Sequence, residues 1–507
     1  MSKHRLRNLS NLRHLWIWLD TRRLTTTILF VAIFTMAVRP PVDTDTWWHL
    51  QAGRVTLERG RILQTDLFSH TRYGSPWVNH SWLSQVILYG LFDRCSYAGL
   101  GLWMGALATV TLAFVYLQME GGVFIRAFIL VLAAATSAVI WSARPQLFSF
   151  LLTAVVTYLL YLFKWRGVNR LWLLPPLFVL WVNLHAGYAL GFMVLTAFVA
   201  GEVMNHLLEP LAPADDPVVD WRGIGWIVGA TLLSAILLVI NPNTTRMWTY
   251  YLQTVRIDVL QDFIQEWRSP DFHLIRLQPF IWLLLATMTA MGLSSRRIDG
   301  TDLALVGGFA YAGLLATRNV APFALVATPV LSRHLTAIGS DLWSRKRDLR
   351  QVATPARAAI NWTLLALLVA LAAVKIRQPL RRSFNEALQR ESLPVGAVEW
   401  IEEHQPEGEM FNHYNWGGYL IWQLWPDYRV FVDGRTDLYG NDLLRQYLKV
   451  QAAQPGFNDV LKAYDVDWVL MPSGGTLSAQ LDHQAEWSEV YRDDLAAIWV
   501  RQRGRDR

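Results

Sequence analysis

Two carboxylates, two indoles and an imidazole lie close together just after the first apolar run of this 507-residue chain. The segment reads Asp43-Thr44-Asp45-Thr46-Trp47-Trp48-His49. Charges at a membrane boundary are costly unless they are hydrated or used. Two acids one residue apart, with a histidine four residues beyond the second, can supply a general base or hold a divalent cation. The alternative is a solvated, cap-like acid pair beside an interfacial belt of aromatic rings.

A third acid, much later in the chain, is a candidate partner for this pair. Glu266 precedes a tryptophan and Arg268, a combination that suits a charged and partly apolar substrate. Together with Asp43 and Asp45 it could hold Mg²⁺ or Mn²⁺, hard cations that prefer carboxylates and commonly bind substrate phosphate as well. The alternative places Asp262 and Glu266 on the solvated face of an amphipathic loop helix.

Arginines and histidines near the ends of apolar runs are candidate substrate-binding residues. Guanidinium groups there can clamp a phosphate bidentately, or can instead reach out to lipid headgroups. The imidazoles can hydrogen-bond a substrate or be satisfied structural groups, and Asn79 or Ser81 can cap the helix that follows His80. The set comprises Arg144, Arg318, His49, His80 and His185.

Composition places these residues in a membrane protein. The chain is 53% hydrophobic and 17% charged, and its mean hydropathy is +0.23. Apolar runs recur near the about 20 residues that a bilayer requires, so we predict an all-α polytopic bundle of about eleven spans within residues 1–376. The predicted cores are 24–40, 97–117, 123–142, 146–163, 169–183, 187–206, 223–240, 278–293, 301–317, 320–334 and 359–375.

The basic residues set the predicted orientation. Lys and Arg before the first apolar run, and in the loops 164–170, 296–297 and 333–357, all fall on one side of the membrane. By the positive-inside rule that side is the cytoplasm, so the unusual polar residues face outward. The net charge of +6 therefore does not indicate nucleic-acid binding. The segment 375–382 departs from the rule, because it is basic but falls outside.

The N-terminus, the cysteine content and the absence of certain catalytic motifs each narrow the class of protein. The basic N-terminus and the first apolar run predict an uncleaved signal anchor. The single cysteine, Cys95, permits no intrachain disulfide. Walker loops, Gly-x-Ser-x-Gly elbows and zinc-type spacings are absent from the sequence, which argues against nucleotide and serine hydrolysis.

The first outer loop and the tail are the two long segments outside the predicted spans. The loop spans residues 41–96, and its segment 80–92 predicts an amphipathic interfacial helix, with a short spanning helix as the alternative. Residues 377–507 predict a soluble, extracytoplasmic α/β domain. We expect strands at 409–413, 429–433, 466–471 and 496–501, and helices at 395–403, 416–424 and 441–453.

This arrangement resembles the polytopic glycosyltransferases of the GT-C fold, which carry a catalytic acid just after the first span. Asp43-x-Asp45 matches the position of that acid. The tail, with Trp416-Gly417-Gly418 and a segment ending in Asp433-Gly434-Arg435, is distantly similar to oligosaccharyltransferase catalytic subunits. Protein O-mannosyltransferase-like enzymes share the general plan. The Trp-Trp-Asp acceptor motif is absent, since Trp416 is followed by two glycines, so sequon recognition is not implied.

The resemblance implies a polyprenyl-phosphate sugar as donor, an unidentified acceptor and a bacterial-type plasma membrane. Asp43, by preference, would remove a proton from the acceptor, while a metal or an arginine stabilises the departing phosphate. Trp416, Asp433 and Arg435 would face the site, although Asp433 and Arg435 could instead pair with each other and cap a turn. A non-catalytic assembly subunit and a transporter of lipid-linked saccharides are the alternative classes.

Overall fold

The computed structural model describes residues 18–208, 215–259, 264–342 and 354–502. Asp262 and the basic residues within 1–17 and 343–353 lie outside the described residues. The described chain is a bundle of helices up to residue 377, followed by a smaller α/β tail.

Helices account for the first part of the chain. Their order is α1 Thr21–Ala37, α2 Asp45–Arg59, α3 Trp82–Gln118, α4 Val123–Ser137, α5 Gln146–Arg166, α6 Leu174–Leu184, α7 Tyr188–Leu208, α8 Trp221–Leu237, α9 Arg246–Val255, α10 Gln278–Leu293, α11 Gly300–Leu315, α12 Val320–Leu342 and α13 Pro355–Arg377.

The predicted apolar segments all fold as helices, and the chain is an integral membrane protein. Six stretches among the described residues are long and apolar enough to cross a bilayer, namely Trp82–Gln118, Val123–Ile140, Gln146–Arg166, Tyr188–Leu208, Ile275–Leu293 and Pro355–Arg377. Shorter apolar helices occupy Leu171–Leu184, Trp221–Leu237 and Gly300–Leu315. The number of spans, which we predicted as eleven, is therefore not fixed by helix length and composition.

The first loop contains one predicted helix and one that was not predicted. Segment 80–92 opens α3, which is broken at Ser96, where φ is 51°. The break separates the predicted interfacial segment from the apolar run behind it. Helix α2 was not predicted, because its buried residues, Trp47 and His49 among them, surround the helix instead of forming one apolar stripe.

Two of the basic residues used for orientation are buried and do not lie in loops. Lys164 Nζ lies 2.6 Å from Glu202 Oε1 and 2.7 Å from Asp299 Oδ2. Arg333 pairs with Asp302. Such buried pairs tie helices together when each charge keeps its partner. The orientation therefore depends on the remaining basic residues.

The tail is an α/β unit built on a four-stranded sheet. Its elements are α14 Arg382–Ser392, α15 Val395–His404, β1 Glu409–Asn412, α16 Gly417–Leu424, α17 Thr436–Gln451, α18 Phe457–Ala463, β2 Val466–Pro472, α19 Thr476–Leu481, β3 Trp487–Arg492 and β4 Ala496–Arg501. The strand order is β1-β2-β4-β3, with β1 parallel to β2 and the other pairs antiparallel.

One predicted strand pairs elsewhere, and one strand was not predicted. Segment 429–433 is not part of the sheet; instead Val430 N donates to Phe68 O, and His70 N donates to Val430 O, each at 3.0 Å. This short bridge joins the tail to the first loop. Strand β3 was not predicted, because Trp487 is its only buried residue and the strand therefore lacks a strong apolar alternation.

Candidate functional site

The two acids of the opening motif lie at the start of α2, a few residues after the end of α1. Asp45 N donates to Asp43 Oδ1 at 3.0 Å, which fixes the two carboxylates relative to each other. Asp45 is the first residue of α2, where the helix dipole stabilises a negative charge. Trp48 Nε1 donates to Asp45 Oδ1 at 3.2 Å and sets the orientation of this carboxylate.

Arg144 brings the three predicted acids together. It lies in the turn between α4 and α5. Its Nη1 lies 2.7 Å from Glu266 Oε1 and 3.3 Å from Asp43 Oδ2, and its Nη2 lies 3.0 Å from Asp45 Oδ2. One guanidinium group therefore contacts three carboxylates, which places residues from three distant parts of the chain at one point.

Burial and charge shift the proton equilibria of this cluster in different directions. Burial raises the pKa of Asp45 to about 6; Arg144 opposes the shift, and Asp43 and Glu266 add to it. Arg144 lowers the pKa of Glu266. Burial alone would lower the pKa of Arg144, but the carboxylates of Asp43, Glu266 and Asp45 raise it well above its ordinary value. Arg144 thus stays charged, while Asp45 is the member closest to titrating near neutral pH.

A cavity of about 800 Å³ opens beside these acids. Helix ends of the bundle line it on one side and the tail lines it on the other. Its size is within the range of small-ligand sites. The predicted site residues that line it are Asp43, Asp45, His49, His80, Arg144, His185, Glu266, Arg318 and Arg435.

Three histidines form a neutral part of the cavity wall. His80 Nδ1 lies 2.7 Å from Tyr250 Oη, and His185 Nδ1 lies 2.7 Å from Ser149 Oγ. Burial lowers the pKa values of His49, His80 and His185. These rings therefore offer hydrogen bonds without charge at neutral pH.

Two further arginines supply positive charge to the cavity. Arg318 stacks on the ring of Trp267 at 4.3 Å and pairs with no carboxylate among the described residues. Arg276 also lines the cavity and was not among the predicted residues; its place in the short turn before α10 gave no distinct signal. A guanidinium that has no acidic partner is available to an anionic ligand group.

The tail lies against the acid pair through its glycines. A Cβ atom at Gly418 would lie 2.5 Å from Thr44 O, and one at Gly434 would lie 1.9 Å from Asp45 Oδ1. Only a residue without a side chain permits this approach. The tail segment 413–415 completes the wall of the cavity next to the acids.

Arg435 connects the tail to the first loop. Its Nη1 lies 2.6 Å from Asp66 Oδ1, while its Nε and Nη2 lie 2.8 and 2.6 Å from the two oxygens of Asp433. Tyr439 donates to Asp433 Oδ2 at 2.5 Å. Asp433 and Arg435 thus pair with each other, which was the alternative to a place in the site. Asp66 joins this pair to the first loop.

Three predicted substrate-binding residues do not line the cavity. Asp433 is buried in the pair just described. Trp416 is buried and packs edge-on against His413 at 5.0 Å. Arg268 is exposed, and its backbone carbonyl accepts a hydrogen bond from Thr317 N at 2.9 Å.

The three carboxylates, in the arrangement observed, do not form a site for a divalent cation. The Arg144 guanidinium occupies the point on which Asp43, Asp45 and Glu266 converge. No group of three His, Cys, Asp or Glu side chains in the described ranges is placed to hold a metal ion. The positive charge at this point is supplied by the arginine.

Comparison with known proteins identifies the fold. No protein-family model matches the sequence, and no curated protein matches it significantly. The oligosaccharyltransferase of Archaeoglobus fulgidus, solved with a tethered acceptor peptide containing the NVT sequon, superposes with a TM-score of 0.51 and 11% identity over 96% of this chain and 74% of that chain. AglB from the same organism, in complex with an inhibitory peptide and a dolichol-phosphate, gives 0.52 and 12% over 94% and 74%.

A bacterial structure is also similar in length. ArnT from Cupriavidus metallidurans, bound to undecaprenyl phosphate, gives a TM-score of 0.46 and 12% identity over 94% of this chain and 97% of that chain. The predicted GT-C fold is confirmed by the superposition on the archaeal structures. At these identities the likeness concerns the fold alone.

Proposed function

We propose that this protein is a membrane glycosyltransferase that moves a sugar from a polyprenyl-phosphate donor to an acceptor on the extracytoplasmic face. The observation that carries the proposal is the contact of one arginine with three carboxylates at the wall of a ligand-sized cavity. The acid pair is held by an arginine and lies beside neutral hydrogen-bonding groups. Such an arrangement suits removal of a proton from the group that attacks as the nucleophile. The GT-C fold, whose archaeal members are solved with dolichol-phosphate and acceptor peptide, is consistent with this chemistry.

Asp43 is the proposed base. Its Oδ2 makes a single contact with Arg144 at 3.3 Å, longer than the 3.0 Å contact that Asp45 Oδ2 makes. Charge-assisted hydrogen bonds are normally about 2.7–2.9 Å, so Asp43 Oδ2 is the less strongly held oxygen and the freer of the two to contact an acceptor group. Asp45 and Glu266 then hold Arg144 in position.

The reaction is a single displacement. Asp43 takes the proton from an acceptor hydroxyl or amine, whose oxygen or nitrogen forms a bond to the anomeric carbon. The bond from that carbon to the phosphate oxygen breaks, and polyprenyl phosphate leaves with the electron pair. Direct displacement inverts the anomeric centre. Arg318, which pairs with no carboxylate of the described residues, is the proposed binding group for the leaving phosphate, and Arg276 lines the same cavity.

Purified protein incubated with labelled polyprenyl-phosphate sugars tests the proposal. We expect release of free polyprenyl phosphate and transfer of label to an acceptor from a membrane extract. Parallel incubations with and without Mg²⁺ or Mn²⁺ establish whether a cation contributes. A non-catalytic subunit or a transporter would consume no donor under any of these conditions.

A further inference from the structure

The end of α13 and the start of α14 carry a basic segment that the proposed transfer does not use. Between residues 374 and 386 there are four cations and one carboxylate, Lys375, Arg377, Arg381 and Arg382 against Glu386, which leaves a net charge of +3. Arg382 Nε pairs with Glu386 at 2.7 Å. Within the described ranges, Lys375, Arg377 and Arg381 have no acidic partner within 4.0 Å.

These cations lie at the same end of the bundle as the acid pair. The turn between α13 and α14 packs on α3, since a Cβ atom at Gly101 would lie 3.0 Å from Leu380 Cδ2. The same point lies 3.5 Å from Arg39 O, which is near the end of α1. The chain reaches Asp43 four residues later. The basic segment is therefore on the predicted outer face, where the positive-inside rule does not account for it.

The turn forms a defined hollow. Asn385 is buried, and its side-chain amide donates to Pro379 O and Arg381 O, each at 2.8 Å. The hollow has a volume of about 390 Å³ and shares no lining residue with the cavity that contains Asp43. It is lined by Val374, Arg377, Gln378, Arg381, Ser383 and Phe384.

An aliphatic stripe on α13 leads into this hollow. Leu364, Leu367, Leu371 and Val374 follow each other at helical spacings of three and four residues, and Val374 is 71% exposed. One more step of three residues along this face reaches Arg377. Hydrocarbon chains therefore have a continuous apolar face, and two guanidinium groups stand at its end.

We propose that this hollow and stripe bind an anionic phospholipid of the outer leaflet. The acyl chains would lie along α13, and the headgroup phosphate would contact Arg377 and Arg381. The opposite charges of ligand and site, together with the lack of acidic partners among the described residues, favour an anionic headgroup over a zwitterionic one. This proposal is independent of the transfer reaction, because it concerns a different surface.

Native mass spectrometry of the full chain in detergent tests the proposal, with phosphatidylglycerol as the probe. The double variant Arg377→Gln/Arg381→Gln should bind the most tightly held phosphatidylglycerol about 10- to 30-fold more weakly, since each cation contributes a several-fold factor. Arg377→Lys/Arg381→Lys should retain binding within about threefold, because its charge is kept. Thermal unfolding curves verify that both variants are folded.

A matched pair of exposed arginines serves as the control. Arg166 and Arg170 lie at the opposite end of α5 from Arg144, so Arg166→Gln/Arg170→Gln tests generic attraction to lipid. Its binding of phosphatidylglycerol should change by less than about twofold. Equal losses in the two double variants, or no loss in either, would overturn the proposal. So would equally tight binding of phosphatidylcholine, or displacement of the lipid by inorganic phosphate or by polyprenyl phosphate.

Discussion

Each residue of the acid cluster has a distinct task in the proposed reaction, and substitution should separate these tasks. Asp43→Asn removes the proposed base and should lower the transfer rate by about 10²–10⁴-fold, the range that general bases contribute. The fold should be unaffected, since an amide is close in shape to a carboxylate. Transfer rates and thermal unfolding are the measurements.

The exposed tail acid Asp427 provides the control, since Asp427→Asn should leave turnover unchanged. Near-normal turnover in Asp43→Asn would move the role of base to Asp45. Near-normal turnover in the double variant Asp43→Asn/Asp45→Asn would end the catalytic interpretation of this cluster.

The raised pKa of Asp45, about 6, predicts how the rate depends on pH. A carboxyl group whose pKa is raised is protonated below that value, and protonation removes one of the partners that hold Arg144. The rate should therefore fall as the pH decreases through about 6, and it should level off above. Asp45→Asn should lower the plateau and remove this step from the profile. An unchanged step in the variant would assign the titration to another group.

The sequence indicated the members of the cluster but not their contacts. Asp43 and Asp45 were recognisable because charges beside a membrane span are costly. Arg144 and Glu266 were recognised only as separate candidates, because Arg144 is 101 positions from Asp43 and 122 from Glu266. Contacts over such separations depend on tertiary packing, for which a single sequence contains no signal.

At the scale of elements, the contact between the tail and α2 depends on Gly434. Gly434→Ala would place a Cβ atom 1.9 Å from Asp45 Oδ1 and 2.8 Å from its Cγ, so the carboxylate or the tail must move. We expect a fall in transfer rate of at least about tenfold, as misplacement of a reacting group costs this much or more. Gly474→Ala is the matched control in the tail, because nothing lies within 4 Å of its Cβ position. Equal activity of the two variants would show that the close contact between the tail and Asp45 is not needed for transfer.

The ion pair between the first loop and the tail should contribute to stability. Asp66→Asn leaves Arg435 with one acidic partner in place of two, in a site where both side chains are almost fully buried. Loss of a partner from a buried pair costs roughly 3–5 kcal/mol, so the unfolding temperature should fall clearly. Thermal unfolding in detergent, with Asp427→Asn as the exposed control, measures the effect. An unchanged midpoint would show that the pair contributes nothing net.

Helices and strands could be predicted where the pattern of apolar residues in one segment is enough to show which residues are buried. Long apolar runs identified the membrane helices, and strands β1 and β2, although not their parallel pairing, were expected from their apolar residues. Helix α2 and segment 429–433 were not, because both take their structure from partners far away in the chain. Their residues contact neighbours on several sides, so their sequences lack the simple periodicity of an amphipathic helix or an edge strand.

At the scale of the whole molecule, the bundle and the tail enclose the cavity between them, so the tail must lie on the same side of the membrane as Asp43. The predicted orientation places the tail outside. A reporter that is active only in the cytoplasm, fused after residue 507, should therefore be inactive, and one that is active only outside should work. The reverse pattern would invert the orientation, and the acid cluster with it.

The central claim is that the Asp43 cluster consumes a lipid-phosphate sugar. A single-turnover assay with excess protein and a labelled polyprenyl-phosphate sugar measures this directly, with donor binding recorded in the same samples. The wild-type protein should convert bound donor to free polyprenyl phosphate. The Asp43→Asn/Asp45→Asn variant should bind the donor and leave it intact. Donor consumption at the same rate in both proteins would contradict the account.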